Sequence, residues 1–344
     1  MTLNRDNWPI AAAMLQFPAL GADGTRVQDA DGEAWADAFD QVADAGFDRV
    51  EINDNWLRVG DLSAARLDEL AEAGRRGGVE LSSVCIVRSS VIDPVTGEDN
   101  LDYSHRTLEA AAHLGAGVVS VGFHRPLTAE QRERLWFWTA EGEIDEPDDT
   151  ENWQRAVDRI RDLGRHAASL GIELTLEMYE DTYLGTAESS VRLLTEVGLD
   201  NVGLNPDVGN LVRLHRPIDD WRETLAATLP HANYWHVKNY YRDEDPVTGT
   251  YTAIPAPLEL GLINYRHAVR DAVALGFRGM FVCEHYGGDG LGVSAQNRDY
   301  LRRVLPRPDR SVSGTGRFRA AAAAATAAAD SGAMRRSLGQ ELVS

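Results

Sequence analysis

Short apolar runs of four to six residues recur along the chain, bounded by Gly or Pro and separated by helix-length segments of mixed polarity. Runs of that kind predict strands buried on both faces of a parallel sheet. The pattern places them over 10–16, 48–53, 79–87, 117–123, 172–177, 201–207, 232–236 and 279–284. Amphipathic segments between and after them predict helices over 33–45, 62–76, 101–114, 151–170, 187–197, 218–229, 265–275 and 293–304. Five of these helices stop just before the next strand at Gly46, Gly115, Gly171, Gly198 or Gly276, the C-cap signal that an αβ loop wants. Eight alternations predict an α/β protein, a (β/α)8 TIM barrel, which commonly takes about 250 residues as one unit. Residues 1–306 are read as that barrel and 307–344 as a flexible or peripherally docked Ala-rich tail.

Three segments break the rhythm. The connection 124–149 is long, carries Trp136 and Trp138, and then turns acidic; loops beyond about 15 residues are usually functional or disordered. Its tryptophans need something apolar to rest on, so it is expected to cover the rim or to make an oligomer contact. The second break, 239–262, leaves the same rim. The third is the tail, with ten consecutive positions of Ala and one Thr over 320–329. An isolated helix of that length is marginal in water.

Four predicted strands close on a residue that binds metals: Glu177, Asp207, His236 and Glu284, which are 30, 29 and 48 residues apart. Carboxylates are rarely buried unless paired or bound to a cation. Three converging at the C-terminal ends of barrel strands, where barrel enzymes keep their chemistry, would repel until one took up a proton. A divalent ion removes that difficulty. Oxygen-rich ligation with one imidazole suits Mn2+ first, with Mg2+ or Co2+ as alternatives, over a structural Zn2+ site. Strand periodicity then names neighbours on the same face: Tyr179 beside Glu177 and Lys238 beside His236. Lys238 would either orient a substrate oxygen or pair with a ligand carboxylate. Arg88 and His124, after the third and fourth strands, reach the rim as well.

Charge narrows the partners. The 344 residues carry a formal charge of −20 and are 43% hydrophobic, a balance that disfavours nucleic acid and anionic lipid, which need clustered Lys and Arg. No apolar run approaches a membrane span, and residues 1–8 hold no signal-type apolar region, so a cytoplasmic protein is expected. Cys85 and Cys283 both fall inside predicted strands, where thiols act as small core hydrophobes, and no disulfide is expected.

The segments 174–179, 203–210, 234–239, 261–265 and 276–284 resemble the xylose-isomerase-like barrels, a superfamily of sugar isomerases and epimerases. The resemblance plausibly spans 10–305. It implies that Glu177, Asp207, His236 and Glu284 hold the metal and that Glu177 and Glu284 are the proton-transfer pair. It also implies a substrate-binding role for Arg242, six residues after the histidine. Ketose epimerases of that superfamily carry a His three residues after the Asp and a Glu six residues after the first Glu; here those places hold Asn210 and Tyr183.

The expected function is a metal-dependent sugar or sugar-derivative isomerase or epimerase acting by proton abstraction α to a carbonyl through an enediolate. The alternative is a lyase on 3-oxo-glycosides using the same barrel and metal, like the large subunits of C-glycoside deglycosidases. Those carry His two residues after the first Glu, where this chain has Tyr179. The partner implied is a small sugar; a homo-oligomer and a small partner subunit both stay open.

Overall fold

A computed structural model describes residues 2–314. Eight parallel strands run β1 (Ile10–Ala13), β2 (Arg49–Asn53), β3 (Glu80–Cys85), β4 (Val118–Val121), β5 (Glu173–Glu177), β6 (Val202–Asn205), β7 (Tyr234–Val237) and β8 (Met280–Cys283). From β1 to β6 each pairs with its sequence neighbour, β7 pairs with β8, and β8 returns to β1. The ring closes between β6 and β7 by a single bridge, Leu204 to Ala232. There the Asn205 side chain stands in for a ladder carbonyl, accepting from the His236 backbone N–H at 2.8 Å.

Helices α1 (Gly32–Asp44), α2 (Ala64–Arg76), α3 (Gly97–Leu114), α4 (Thr150–Ser169), α5 (Ala187–Val197), α6 (Trp221–Thr228), α7 (Tyr265–Ala274) and α8 (Gly290–Val304) follow the strands in turn. Most start at a side-chain cap, with Asp31, Ser63, Asp149, Thr186, Asp220, Asn264 and Asp289 each accepting from a first-turn backbone N–H. The five glycines expected to end helices all take left-handed backbone angles, φ 66° to 98°. No helix among the described residues is long and apolar enough to cross a membrane.

Strand alternation divides the core in two. Outward residues such as Val50, Ile52, Leu174, Leu176, Trp235 and Phe281 pack under the helices in the main cluster. Inside the ring a small apolar floor of Ala11, Ala13, Tyr234, Met280 and Val282 fills the barrel, leaving inward positions above it, toward the strand C-termini, for polar residues. Both cysteines are buried free thiols.

The breaks in the rhythm take definite forms. The 239–262 segment is a β-ribbon, Asn239–Asp245 paired antiparallel with Thr250–Ala256, where only a rim loop is expected from the pattern. Its turn signal, Asp245 to Gly249, is present in the sequence. Past 306 the chain keeps packing: Val312–Ser313 pairs with Thr2–Leu3 under the barrel. The Ala-rich 320–329 segment expected as an appendage lies outside the described residues.

Close backbone approach near β8 generates a stability test. A Cβ added at Gly279 would sit 2.1 Å from the Asn233 carbonyl oxygen, an atom held by the barrel wall, whereas one at Gly117 meets nothing within 4 Å. Gly279→Ala is expected to destabilise by about 3 kcal/mol or more, and Gly117→Ala to stay within about 0.5 kcal/mol of the parent, both read by urea unfolding. Equal effects would show that the β7–β8 contact yields.

Candidate metal centre

The C-terminal ends of β5 to β8 bring Glu177, Asp207, His236 and Glu284 together, all buried. His236 Nδ1 stands 3.0 Å from Glu177 Oε2 and 3.2 Å from Glu284 Oε1. One candidate ligand atom each from Glu177, Asp207 and His236 lie within 4.8 Å of one another. Lys238, two residues past His236 on the same face, places its ammonium 2.5 Å from both Asp207 Oδ2 and Glu284 Oε2. Of its two expected roles, pairing with the carboxylates is the one this arrangement displays. Asn210 donates to Glu177 Oε1 at 3.1 Å, Asp207 Oδ2 at 3.2 Å and the Met178 carbonyl at 2.9 Å, and Asn205 donates to Glu177 Oε2 at 3.3 Å.

Such crowding sets the protonation states. Burial pushes Asp207 up to about 7, with Glu177 and Glu284 adding to the push and Lys238 opposing it. Burial would raise Glu284 too, but Lys238 and His236 outweigh it and hold that carboxyl down to about 2. For Glu177 burial is likewise overcome, by the His236 charge and by hydrogen bonds from His124 and His236, leaving it well below the usual range. His236 is driven well above its ordinary value by Glu51, Glu284 and Glu177 against the pull of burial. With only its own side chains, the cluster keeps protons on Asp207 and His236 that a dication would replace.

Two buried atoms fit that replacement. Asp207 Oδ1 makes no hydrogen bond within the protein, and His236 Nδ1, though 3.0 Å from Glu177 Oε2, makes no well-aligned one, whereas buried polar atoms are normally satisfied. His236 Nε2 is engaged instead with Glu51 Oε2, at 2.8 Å. With Nε2–H donating to Glu51 and the Nδ1 proton displaced, the Nδ1 lone pair would face an ion held among the carboxylates, the carboxylate–histidine arrangement that orients metal-binding imidazoles. The donor set of three carboxylates and one neutral imidazole therefore fits a hard divalent ion.

Glu51 is the residue that reading strand ends passes over. It sits inside β2, fully buried, accepting from the Tyr234 hydroxyl at 2.6 Å and from Asn53 at 3.1 Å; Tyr234 lies 2.6 Å from the Ser83 hydroxyl below. The β2–β3 register slips between Val50 and Glu51, a bulge of the kind that re-aims a side chain. The available signal was a charged residue two positions before Asn53, on the inward face.

The rim residues divide. His124 and Tyr179 pack with ring centroids 3.5 Å apart and planes tilted by 35°, and His124 Nε2 lies 3.5 Å from Glu177 Oε1. Burial pushes His124 down to about 4, so its ring is neutral at pH 7. Arg88 lies over the rings of Phe137 and Tyr179 and lines the same cleft of about 130 Å³ as Glu177, Lys238 and Glu284. Arg242 does not line it. Its guanidinium is spent on the carbonyls of Val212, Leu214 and Arg216, tying the ribbon to the loop after β6.

The long connection after β4 folds over this cleft. Trp138 packs edge-on against Tyr240 and Tyr286, and Phe137 against Tyr286. Beneath them Arg213, fully buried, donates to both oxygens of Glu180 at 2.9 and 3.0 Å. Asp145 in the same connection takes Arg125 at 2.6 Å and anchors it to the loop after β5.

A family model described as the xylose isomerase-like TIM barrel matches residues 39–304. Among solved structures, a xylose isomerase-like TIM barrel protein from Mycobacterium smegmatis in complex with magnesium is 45% identical, with a TM-score of 0.84, covering 88% of this chain and 98% of that one. The 3-keto-D-glucoside 4-epimerase of E. coli, 16% identical, shares the fold at a TM-score of 0.60 over 86% of this chain and 100% of its own. D-Psicose 3-epimerase of Clostridium cellulolyticum H10 does so at 16% identity and 0.61, over 87% and 100%. No curated protein matches the sequence.

Asp54, on the cleft wall above β2, supplies a pH test. Burial pushes it up to about 6, against a hydrogen bond from Ser89 and the charges of Arg58 and Arg88. A carboxyl whose folded pKa is raised costs nothing below about pH 4; the penalty grows as pH rises toward 6 and is complete above it. Asp54→Asn is therefore expected to stabilise by on the order of 2–3 kcal/mol at pH 8, a few degrees in Tm, and to change little at pH 4. An equal shift at both pH values would remove Asp54 ionisation as the cause.

Proposed function

The chain belongs to the xylose isomerase-like TIM barrel family, and on that footing we propose that it is a divalent-metal-dependent isomerase or epimerase of a sugar or sugar derivative. The supporting observation is the convergence of Glu177, Asp207, His236 and Glu284 at the strand ends beside the cleft that Glu177, Lys238 and Glu284 line, with His236 Nδ1 set between two carboxylates and Asp207 Oδ1 buried without a hydrogen bond. Those four residues would hold the ion, and Glu51 would hold His236. A dication bound there supplies Lewis acidity that polarises a carbonyl and acidifies the neighbouring C–H bond. Magnesium occupies the 45% identical relative, and Mn2+ or Co2+ would suit the same ligands.

The side chains then divide the work. Glu177 and Glu284 both reach His236 Nδ1, one from β5 and the other from β8 with β6 and β7 between them, so a sugar seated there would meet a carboxylate from each strand. One removes the proton α to the carbonyl and the other returns one, on the opposite face or at the adjacent carbon. Lys238, paired with both Asp207 and Glu284, keeps Glu284 ionised. Neutral His124, packed against Tyr179, builds one wall. Phe137 and Trp138 exclude water from above, which strengthens every charge interaction inside.

Two measurements test the reading. By calorimetry, Glu177→Gln and Asp207→Asn are expected to lose Mg2+ and Mn2+ binding with the fold intact, and Glu51→Gln to weaken it about 10- to 100-fold; binding at parental affinity in the first two variants would place the ion elsewhere. In D2O, the Mn2+-loaded protein is expected to incorporate deuterium α to the carbonyl of a ketose or sugar derivative, read by mass. Glu177→Gln and Glu284→Gln should each lower the rate by more than the roughly 10²- to 10⁴-fold typical of a general base alone, because each loses a ligand as well. Undiminished exchange in both would assign the base to another residue.

A further inference from the structure

Around the mouth of the cleft the buried and half-buried arginines are spoken for. Arg125 pairs with Asp145 at 2.6 Å, Arg213 with Glu180 at 2.9 Å, and Arg216 with Asp181 at 2.6 Å. Arg88 is the exception. It lines the cleft itself, partly buried, and has one long hydrogen bond, to the Arg125 carbonyl at 3.4 Å, with the Tyr179 hydroxyl also in reach. The rest of its surroundings are the faces of Phe137 and Tyr179. Among the described residues no carboxylate stands at ion-pair distance from it. Asp54 shares the cleft but accepts from Ser89 at 3.1 Å instead.

A guanidinium set against aromatic walls loses hydration without gaining a counter-charge, and such a group is satisfied by an anion that arrives from outside. Its planar fork matches a carboxylate through two parallel hydrogen bonds, a match that a hydroxyl cannot reproduce. Arg88 lies on the same cleft wall as Tyr179, which follows Glu177 by two positions, so an anion held by it belongs to the molecule that reaches Glu177 and Glu284. We propose that the substrate is an acidic sugar, a hexuronate or keto-sugar acid, whose carboxylate is bound by Arg88 while its carbonyl end reaches the Glu177–Glu284 cluster. The proposal deepens the reading of that cluster as a metal-dependent sugar site and rests on it for the position of the carbonyl.

The competing account is that Arg88 merely offsets the carboxylates of the cluster. In that case its removal would tighten dication binding and leave ligand preference unchanged.

The test is direct binding by calorimetry to the Mg2+-loaded full-length protein, using a panel of hexuronates and ketohexuronates. Each is paired with its neutral hexose or ketose and with the corresponding 6-phosphate. At least one acid is expected to bind 10-fold or more tighter than its neutral partner and its phosphate. Arg88→Met should erase that preference, weakening the acid by about 10²-fold, while Mg2+ affinity stays within threefold of the parent. Arg88→Lys, which keeps the charge without the fork, should recover only part of it. The carboxylate assignment is overturned if acids bind no better than neutral sugars, if the 6-phosphates alone depend on Arg88, or if Arg88→Met leaves the preference intact and tightens Mg2+. Acid binding that depends on Arg88 in a protein that takes up no dication would uphold the anion site and sink the metal-dependent reading. Exchange in D2O from a neutral ketose, indifferent to Arg88, would do the reverse.

Discussion

Four carboxylates directed into one end of a closed barrel are the constraint to which the rest of this structure answers. Glu51, Glu177, Asp207 and Glu284 are all buried, and an apolar floor that includes Ala11, Ala13, Met280 and Val282 fills the barrel interior. Two like charges 4 Å apart cost about 4 kcal/mol at an effective dielectric of 20, a large share of the roughly 5–15 kcal/mol that holds a domain folded. Nearly every polar group at this end is aimed at that cost. Lys238 bridges two of the carboxylates, Asn205 and Asn210 donate to a third, and His236 stands among three of them. The compensation is incomplete at His236 Nδ1 and Asp207 Oδ1. A ring of strands can hold such a conflict because β1 to β5 and β8 are each paired on both sides, while β6 and β7, paired on one side, are joined to each other by the Leu204–Ala232 bridge and the Asn205–His236 hydrogen bond.

Much of this could be read in the sequence, for reasons tied to particular residues. The barrel was legible because its strands are short apolar runs and its helices stop at glycines that take left-handed angles. Glu177, Asp207, His236 and Glu284 were legible because a charged residue ending a buried strand contradicts its surroundings. Glu51 was not, since it lies inside β2 rather than at its end and is aimed by a register slip that no periodicity encodes. The Arg213–Glu180 pair was equally hidden: each residue looks like a surface charge until the connection after β4 covers it. The ribbon after β7 carried an alternating pattern and a turn signal, but its place at the rim drew the reading toward a loop.

Arg88 and Arg242 show how far residue type alone can carry a functional assignment. Both follow barrel strands and both reach the C-terminal side. The resemblance favours Arg242, yet the ribbon turns its guanidinium onto the carbonyls of the β6 loop, where it stabilises a backbone turn. Arg88 emerges directly from the end of β3 with nothing between it and the cleft. An arginine's role is settled by which acceptors the topology offers it, and three carbonyls from one loop leave little fork for a substrate.

The cover over the cleft is tied to the same strands that carry the carboxylates. Arg213 follows β6 and Glu180 follows β5, three residues beyond Glu177, and Phe137 and Trp138 rest on the guanidinium that joins them, at 4.9 and 5.1 Å from its central carbon to the ring centroids. Removing one partner of a buried ion pair leaves the other charge uncompensated, at about 3–5 kcal/mol, so this joint resists opening. The aromatic cover and the loops that carry Glu177 and Asp207 are therefore joined through one buried ion pair, Arg213–Glu180.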